Sequence, residues 1–272
     1  MKIFIIGLGL IGGSLAKALC RLHTVGGFDF SEDVMKKAES EAAITDLPIE
    51  EADLVIVAVP PKHTKEACIQ NIPKMKRNAV ITEVCGVKEF FSEDLTVAAK
   101  LYGVDYVGIH PMAGKEKFGY DYAESTLFEG RDFIIVKTAE TTERALQIIY
   151  STAGDINAGK ITEISPMQHD AIIAYTSQLA HVVSSSYVKS RMLAFVDGFC
   201  GGSFQDMTRV AELDEDMWTD LFLMNRDNIM AETKQLTDSL NLFYDALNKG
   251  DREKLKDLLK NGRERKEHCR IR

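Results

Sequence analysis

The chain is poor in the features that would place it in a membrane, a disulfide scaffold or a nucleic-acid complex. No run of about 18 apolar residues occurs, the length a helix needs to span a bilayer. No leader segment is expected ahead of the first apolar run. A membrane-spanning helix is therefore not expected, and a cytoplasmic location is. Cysteine is scarce: five residues, Cys20, Cys68, Cys85, Cys200 and Cys269, none in a CxxC pair. An odd, scattered set suits reduced thiols rather than a disulfide frame or zinc site. Histidines are few and lack metal-ligand spacing, so no metal is expected. Positive charge is in deficit, with a net charge of −8. That argues against general nucleic-acid binding, and any anionic ligand must meet locally placed cations. Internal repeats and low-complexity segments are absent too. What remains, 45% hydrophobic and 27% charged over 272 residues, is ordinary globular composition with room for two domains and a substantial core.

Against these absences stands one dense stretch, KIFIIGLGLIGGS over residues 2–14. Its apolar run Ile3-Phe4-Ile5-Ile6 is short and does not alternate, which predicts a strand buried on both faces. Gly7 permits the tight turn that follows, Gly9 lets a pyrophosphate approach the backbone, and Gly12 lets the next helix pack closely on the strand. The helix start then presents unpaired N–H groups to the phosphates. A lone glycine motif is weak evidence, so its context matters. Residues 15–22 continue at helical spacing, and 24–30 (TVGGFDF) read as a second strand ending on Asp29. That acid lies about 20 residues past the motif, where a carboxylate accepts from the adenosine ribose hydroxyls. A carboxylate there repels a 2′-phosphate and no arginine follows it directly, so NAD is expected over NADP. The candidate cofactor-binding residues are Gly7, Leu8, Gly9, Leu10, Ile11, Gly12 and Asp29. The bland alternative is a glycine turn in an unrelated α/β protein, with Asp29 capping a helix.

The pattern then alternates. Helix is predicted over 32–43 with Ser31 as N-cap, strand over 54–59, helix over 65–75, strand over 79–82 and helix over 90–101. Strands are predicted over 105–109, 133–136 and 160–164, with a helix over 142–152. The strand over 54–59 stops at Pro60-Pro61, and ligands in such sheets bind beyond the strands' carboxyl ends, which makes Pro60 a candidate cofactor wall. This alternation predicts an α/β fold: an N-terminal doubly wound, mostly parallel sheet over residues 1–165. From Met167 onward strand-like runs vanish and apolar residues recur at helical spacing, which predicts an all-helical C-terminal domain over 166–272. Residues 249–272 hold about twice as many basic as acidic side chains, read as a solvated helix end rather than a docking tail.

The densest polar constellation is HPMAGKEKFG over residues 110–119. A histidine at the end of a strand beside a nicotinamide edge, with a reference pKa near 6.5, can accept the proton of an alcohol as its C–H electrons leave. An isolated histidine is more often a hydrogen-bonded structural residue, so His110 gains weight only from what accompanies it. His181 lies eleven residues, three helical turns, beyond Asp170 in SPMQHD…SQLAH, which predicts a shared face. Arg209, just past the glycine-rich corner at 201–202, can grip a carboxylate bidentately, or else pair with Asp206 or Glu212.

The order GLGLIGGS, TEVCGVK, HPMAGKEKFG, LFEG, SPMQHD, SQLAH and FQDMTRVA resembles the prephenate dehydrogenase family over nearly the whole chain. The resemblance implies a Rossmann domain and a helical domain that forms a homodimer. It implies NAD-dependent oxidative decarboxylation of prephenate to 4-hydroxyphenylpyruvate in tyrosine biosynthesis. It also implies that His110 is the catalytic acceptor, with Arg209 on a substrate carboxylate and His181 lining the pocket. Glu116 would stand near the pocket mouth. Where some members carry a serine that bonds the catalytic histidine, this chain has Gly86, so the orienting group is open among a water, Cys85 and Thr82. With Arg272 as the last residue, neither an ACT domain nor a fused chorismate mutase is expected. Arogenate as substrate, or a non-catalytic NAD-sensing protein, are the alternatives. A hydroxyacid dehydrogenase would want a catalytic lysine, and the surroundings of Lys189 do not match.

Overall fold

The computed structural model describes residues 1–115 and 117–269. The N-terminal half runs β1 (Lys2–Ile6), α1 (Leu10–Leu19), β2 (Thr24–Phe28), α2 (Glu32–Ser40), β3 (Leu54–Val57), α3 (Pro61–Asn71), β4 (Val80–Glu83), α4 (Glu89–Tyr102), β5 (Asp105–Tyr106), β6 (Gly108–Pro111), β7 (Phe133–Val136), α5 (Glu143–Asp155) and β8 (Ile161–Ile164). The helical half follows as α6 (Pro166–Ile173), α7 (Leu179–Tyr187), α8 (Gly202–Thr208), α9 (Glu215–Met224), α10 (Arg226–Lys249) and α11 (Arg252–His268).

β1 to β5 form one parallel sheet in the order β2-β1-β3-β4-β5. Every residue of β3 and of β4 is buried, as strands covered by helices on both faces must be. The chain leaves β1 toward β2 and leaves β3 toward β4 on the other side, so the sheet's switch point lies between β1 and β3. Ligands bind there in doubly wound sheets. Local signals set the helices: Ser31 Oγ accepts from Val34 N–H at the start of α2, and Thr142 does the same for α5.

The structure divides the expected strand over 105–109. β5 ends the parallel sheet, and β6 starts a second sheet, β6-β7-β8, in which β6 and β7 run antiparallel. The break falls at Val107, whose N–H still donates to Ile81 of β4 but whose carbonyl accepts from the buried Thr82 hydroxyl at 2.5 Å rather than from a backbone N–H. Pro111 is tolerated in β6 because β6 is the outer strand of this second sheet.

A second departure lies in the helical half. Between α6 and α7, Ala174–Gln178 adopt π geometry. A wider turn shifts the helix's rotational phase, so the three-turn spacing between Asp170 and His181 does not give a common face. No helix among the described residues is long and apolar enough to cross a membrane.

Candidate active site

The glycine loop between β1 and α1 has the form its spacing requires. Gly7 sits at φ +88°, and a Cβ there would lie 2.6 Å from the Ala58 carbonyl. A Cβ on Gly12 would lie 1.8 Å from the Gly7 carbonyl, so α1 can approach the strand only with glycine at 12. Gly9 differs, because its Cβ position has no heavy atom within 4 Å. Backbone packing thus closes the loop at 7 and 12 and leaves it open at 9, where a phosphate would come. No side chain caps α1 and its first turn carries no acid, so its positive end is available to an anion. Leu8 is fully buried, while Leu10 and Ile11 pack at the margin of the same core.

Asp29 follows the end of β2. Its Oδ2 accepts from the Leu8 N–H at 2.8 Å and its Oδ1 from the Ser31 N–H at 2.9 Å. The carboxylate is therefore anchored to the glycine loop itself. Pro60 follows β3 across the switch point, exposed, as the residue before α3. These residues fit a dinucleotide: an open approach at Gly9, an uncapped helix start, and a fixed carboxylate beside them.

His110 lies third in β6, paired with Ile134 of β7. This corrects its expected place at the carboxyl edge of the parallel sheet, and the cause is the break at Val107. It is nonetheless near that edge. A Cβ on Gly86, in the loop after β4, would lie 4.0 Å from His110 Cε1 and 3.5 Å from the Leu221 side chain. Ile109, just before it, shares one core cluster with Leu8, at whose margin Leu10, Ile11, Val84 and Ala113 pack. The histidine strand and the glycine loop thus rest on one apolar body.

Neither of the two side chains expected to orient the ring, Thr82 and Cys85, does so. Thr82 spends its hydroxyl on Val107. The Cys85 thiol is buried and pushed up to about 12 by burial and by Glu83. Instead His110 Nδ1 lies 2.9 Å from His169 Nε2, and His169 Nδ1 lies 2.6 Å from Asp170 Oδ1. Asp170 also accepts from the Lys88 N–H, at 2.9 and 3.1 Å, and from the Glu89 N–H at 2.8 Å, capping the start of α4. Burial holds the His110 imidazole well below its ordinary range, and the neighbouring His169 and the Lys88 ammonium push it the same way. His169 is also lowered, chiefly by burial, against the opposing pull of Asp170. Both rings are neutral near pH 7, so His110 can take a proton rather than already carry an extra one.

His181 and Arg209 fall together in a second cluster. The His181 Nδ1–H donates to the Val210 carbonyl at 2.9 Å, next to Arg209, which opens a short turn after α8. The His181 ring stacks on Trp218 with centroids 3.6 Å apart. Trp218 and Leu221 sit three residues apart on one side of α9, one against His181 and the other against Gly86. α9 therefore links this cluster to the His110 neighbourhood. Glu116 lies outside the described residues.

Sequence reading missed His169, Asp170, Lys88 and Glu83. The SPMQHD segment held a signal for the first two: Ser165 caps α6 by accepting from Gln168 N–H, which places the His-Asp pair in the first helical turns. Gln178 and Asn225 extend this buried polar set. Asn225 Nδ2 donates to the Asp170 carbonyl at 2.9 Å and to Gln178 Oε1 at 2.7 Å.

Comparison with known proteins places this architecture. Residues 12–162 match the family model of the prephenate dehydrogenase nucleotide-binding domain, and residues 165–261 that of the prephenate dehydrogenase dimerization domain. A cyclohexadienyl dehydrogenase of Zymomonas mobilis is 32% identical over 261 residues, covering 88% of each chain. A prephenate dehydrogenase of Bacillus subtilis is 30% identical over 248 residues, 84% of this chain, which spans 65% of that relative's length. The crystal structure of prephenate dehydrogenase from A. aeolicus in complex with hydroxyphenyl propionate and NAD+ aligns with a TM-score of 0.85 at 28% identity, covering 99% of this chain and 98% of that one. From its glycine loop to its helical half, the chain belongs to the prephenate dehydrogenase family.

Proposed function

We propose that this protein catalyses the NAD-dependent oxidative decarboxylation of prephenate to 4-hydroxyphenylpyruvate, a step of tyrosine biosynthesis. Prephenate carries a ring hydroxyl, a ring carboxylate and a pyruvyl side chain. Loss of the carbinol hydrogen with its electron pair and loss of the ring carboxylate as CO₂ together make the ring aromatic, which drives the reaction. The bound nicotinamide supplies the acceptor for that electron pair. Gly9, the start of α1 and Asp29 hold the dinucleotide, with Pro60 at the wall of its cleft. His110 accepts the hydroxyl proton as the hydride leaves and returns it to the same oxygen once loss of CO₂ has made the ring aromatic, an effect worth about 10²–10⁴-fold in rate. Arg209 meets a substrate carboxylate, and His181 lines the pocket beside it.

The observation that carries this reading is the neutral, anchored His110 on the same apolar body as the glycine loop. Residues 1–165 act as the nucleotide-binding unit and residues 166–272 as the unit that pairs two copies. The exposed apolar side chains Tyr175, Leu240, Tyr244 and Leu247 on the helical half support a homodimer.

The test is appearance of NADH absorbance with prephenate and with arogenate, side by side. Turnover of prephenate is expected, reduced at least about a hundredfold in His110→Ala while NAD binding persists. Turnover of arogenate alone assigns the amino analogue as substrate. NAD binding with turnover of neither overturns the proposal in favour of a sensing role.

A further inference from the structure

We infer that His169 and Asp170 are positioning residues that hold the His110 imidazole with its proton on Nδ1, leaving Nε2 as the acceptor. The inference rests on the reading of His110 as the group that takes the substrate proton. It goes further by saying which ring nitrogen does so and what sets that choice.

The argument follows proton donors outward from the start of α4. The backbone N–H groups of Lys88 and Glu89 can only donate, so the Asp170 oxygens they meet accept. Oδ1 of Asp170 also lies 2.6 Å from His169 Nδ1. Two lone pairs cannot face each other at that distance, so Nδ1 of His169 carries a proton and donates. A neutral His169 then has a lone pair on Nε2. That lone pair faces His110 Nδ1 at 2.9 Å, so His110 Nδ1 must be the donor. One proton per neutral ring is then spent, and His110 Nε2 is bare. A doubly protonated His169 would reverse the last bond and block Nε2. Burial and the Lys88 ammonium disfavour charge on that ring.

Nothing at position 86 competes for this task. Gly86 offers no side chain to the ring, although a Cβ there would lie only 4.0 Å from Cε1. The orienting bond comes from α6, in the helical half, while His110 belongs to β6. Asp170 grips the start of α4 with the same carboxylate. The proton order on His110 is therefore made only when α6 is docked against α4.

The test is the tautomer itself, read by two-bond ¹⁵N–¹H correlation of the histidine rings in the full chain without ligands, with His110 assigned by its loss in His110→Ala. The wild-type His110 is expected to show a protonated Nδ1 and a bare Nε2, and the reverse pattern would overturn the inference whatever the variants do. His169→Leu removes the acceptor and is expected to lower kcat about a hundredfold or more with KM within about threefold. His169→Gln restores a carbonyl acceptor and is expected to recover kcat to within about tenfold of wild type. Asp170→Asn turns an amide N–H toward His169, and the His110 pattern should invert along with a fall in kcat. If His169→Leu keeps both the wild-type pattern and the wild-type kcat while His110→Ala is inactive, the positioning role fails and the acceptor role stands. If His110→Ala itself turns over normally, the acceptor role fails first.

Discussion

The Lys88 ammonium meets the Glu83 carboxylate at 2.7 and 2.8 Å, and neither side chain is exposed. Lys88 also donates to the Cys85 carbonyl at 2.6 Å, and Tyr106 OH donates to Glu83 Oε1 at 3.1 Å. Every charge in this pair is thus matched at the foot of the loop that faces His110. Removing one partner strands the other without water. Lys88→Met is expected to lower stability by about 3–5 kcal/mol in urea unfolding. Joint replacement of Lys88 by Met and Glu83 by Gln should recover most of that loss. A single variant as stable as wild type would show the pair to be dispensable.

The glycine loop separates binding from folding. Gly9→Ala adds a methyl group where no atom stands within 4 Å, so Tm should move little while NAD affinity falls at least about tenfold. Gly12→Ala drives a methyl group into the Gly7 carbonyl and should cost stability even without cofactor. Calorimetry with and without NAD distinguishes the two. Equal effects of both substitutions on Tm would contradict the open approach at Gly9.

Asp29 bears on cofactor choice. Asp29→Ser removes the carboxylate that repels a 2′-phosphate, so the ratio of kcat/KM for NAD over NADP should fall. It also loosens the bond to Leu8 N–H, so NAD affinity should weaken in absolute value as well. An unchanged ratio would return Asp29 to a purely structural role.

Arg209→Ala should raise KM for prephenate by about 10- to 100-fold, since a charge-assisted bond is worth about 1.5–3 kcal/mol. Its effect on NAD affinity should be small. A normal KM would leave Arg209 a surface residue of the turn after α8.

The depressed His110 pKa sets a direction with pH. Burial, His169 and Lys88 hold the folded ring below the value near 6.5 that the unfolded chain has. The acceptor form therefore persists as pH falls past 6.5, and the acid limb of kcat/KM should lie below that value. Stability moves the other way. Between pH 6.5 and the folded pKa the unfolded chain takes up a proton that the folded ring refuses, so Tm should decline as pH falls through this window. His110→Ala should flatten that decline. An acid limb at or above pH 6.5 would contradict the environment described for the ring.

Local patterning carried much of this structure into view. Gly7 and Gly12 were legible because a tight turn and close helix packing each require glycine at a set spacing, and neither position has room for a Cβ. Phe133–Val136 and the cap residue Ser31 followed from equally local physics. What stayed hidden depends on partners distant in sequence. The DYVGI run looks like one strand because nothing in it shows that Thr82 will claim the Val107 carbonyl. Lys88 looks like a solvated loop lysine until Glu83 and Cys85 close around it. His169 looks like any helical histidine until α6 docks on α4 and brings it to His110. The exchange of an expected orienter after β4 for one on α6 is a tertiary event without a local signature.

The π turn at Ala174–Gln178 has a consequence for how one rod serves two places. Before it, His169 and Asp170 aim at β6 and α4; after it, His181 aims at Val210 and Trp218. A regular α-helix advances about 100° per residue, so a single surplus residue works as a rotary joint frozen at one setting. Shortening the chain by one residue inside 174–178 would straighten the rod at the cost of its aim: whichever end stayed seated, the other would swing off target by roughly a quarter turn.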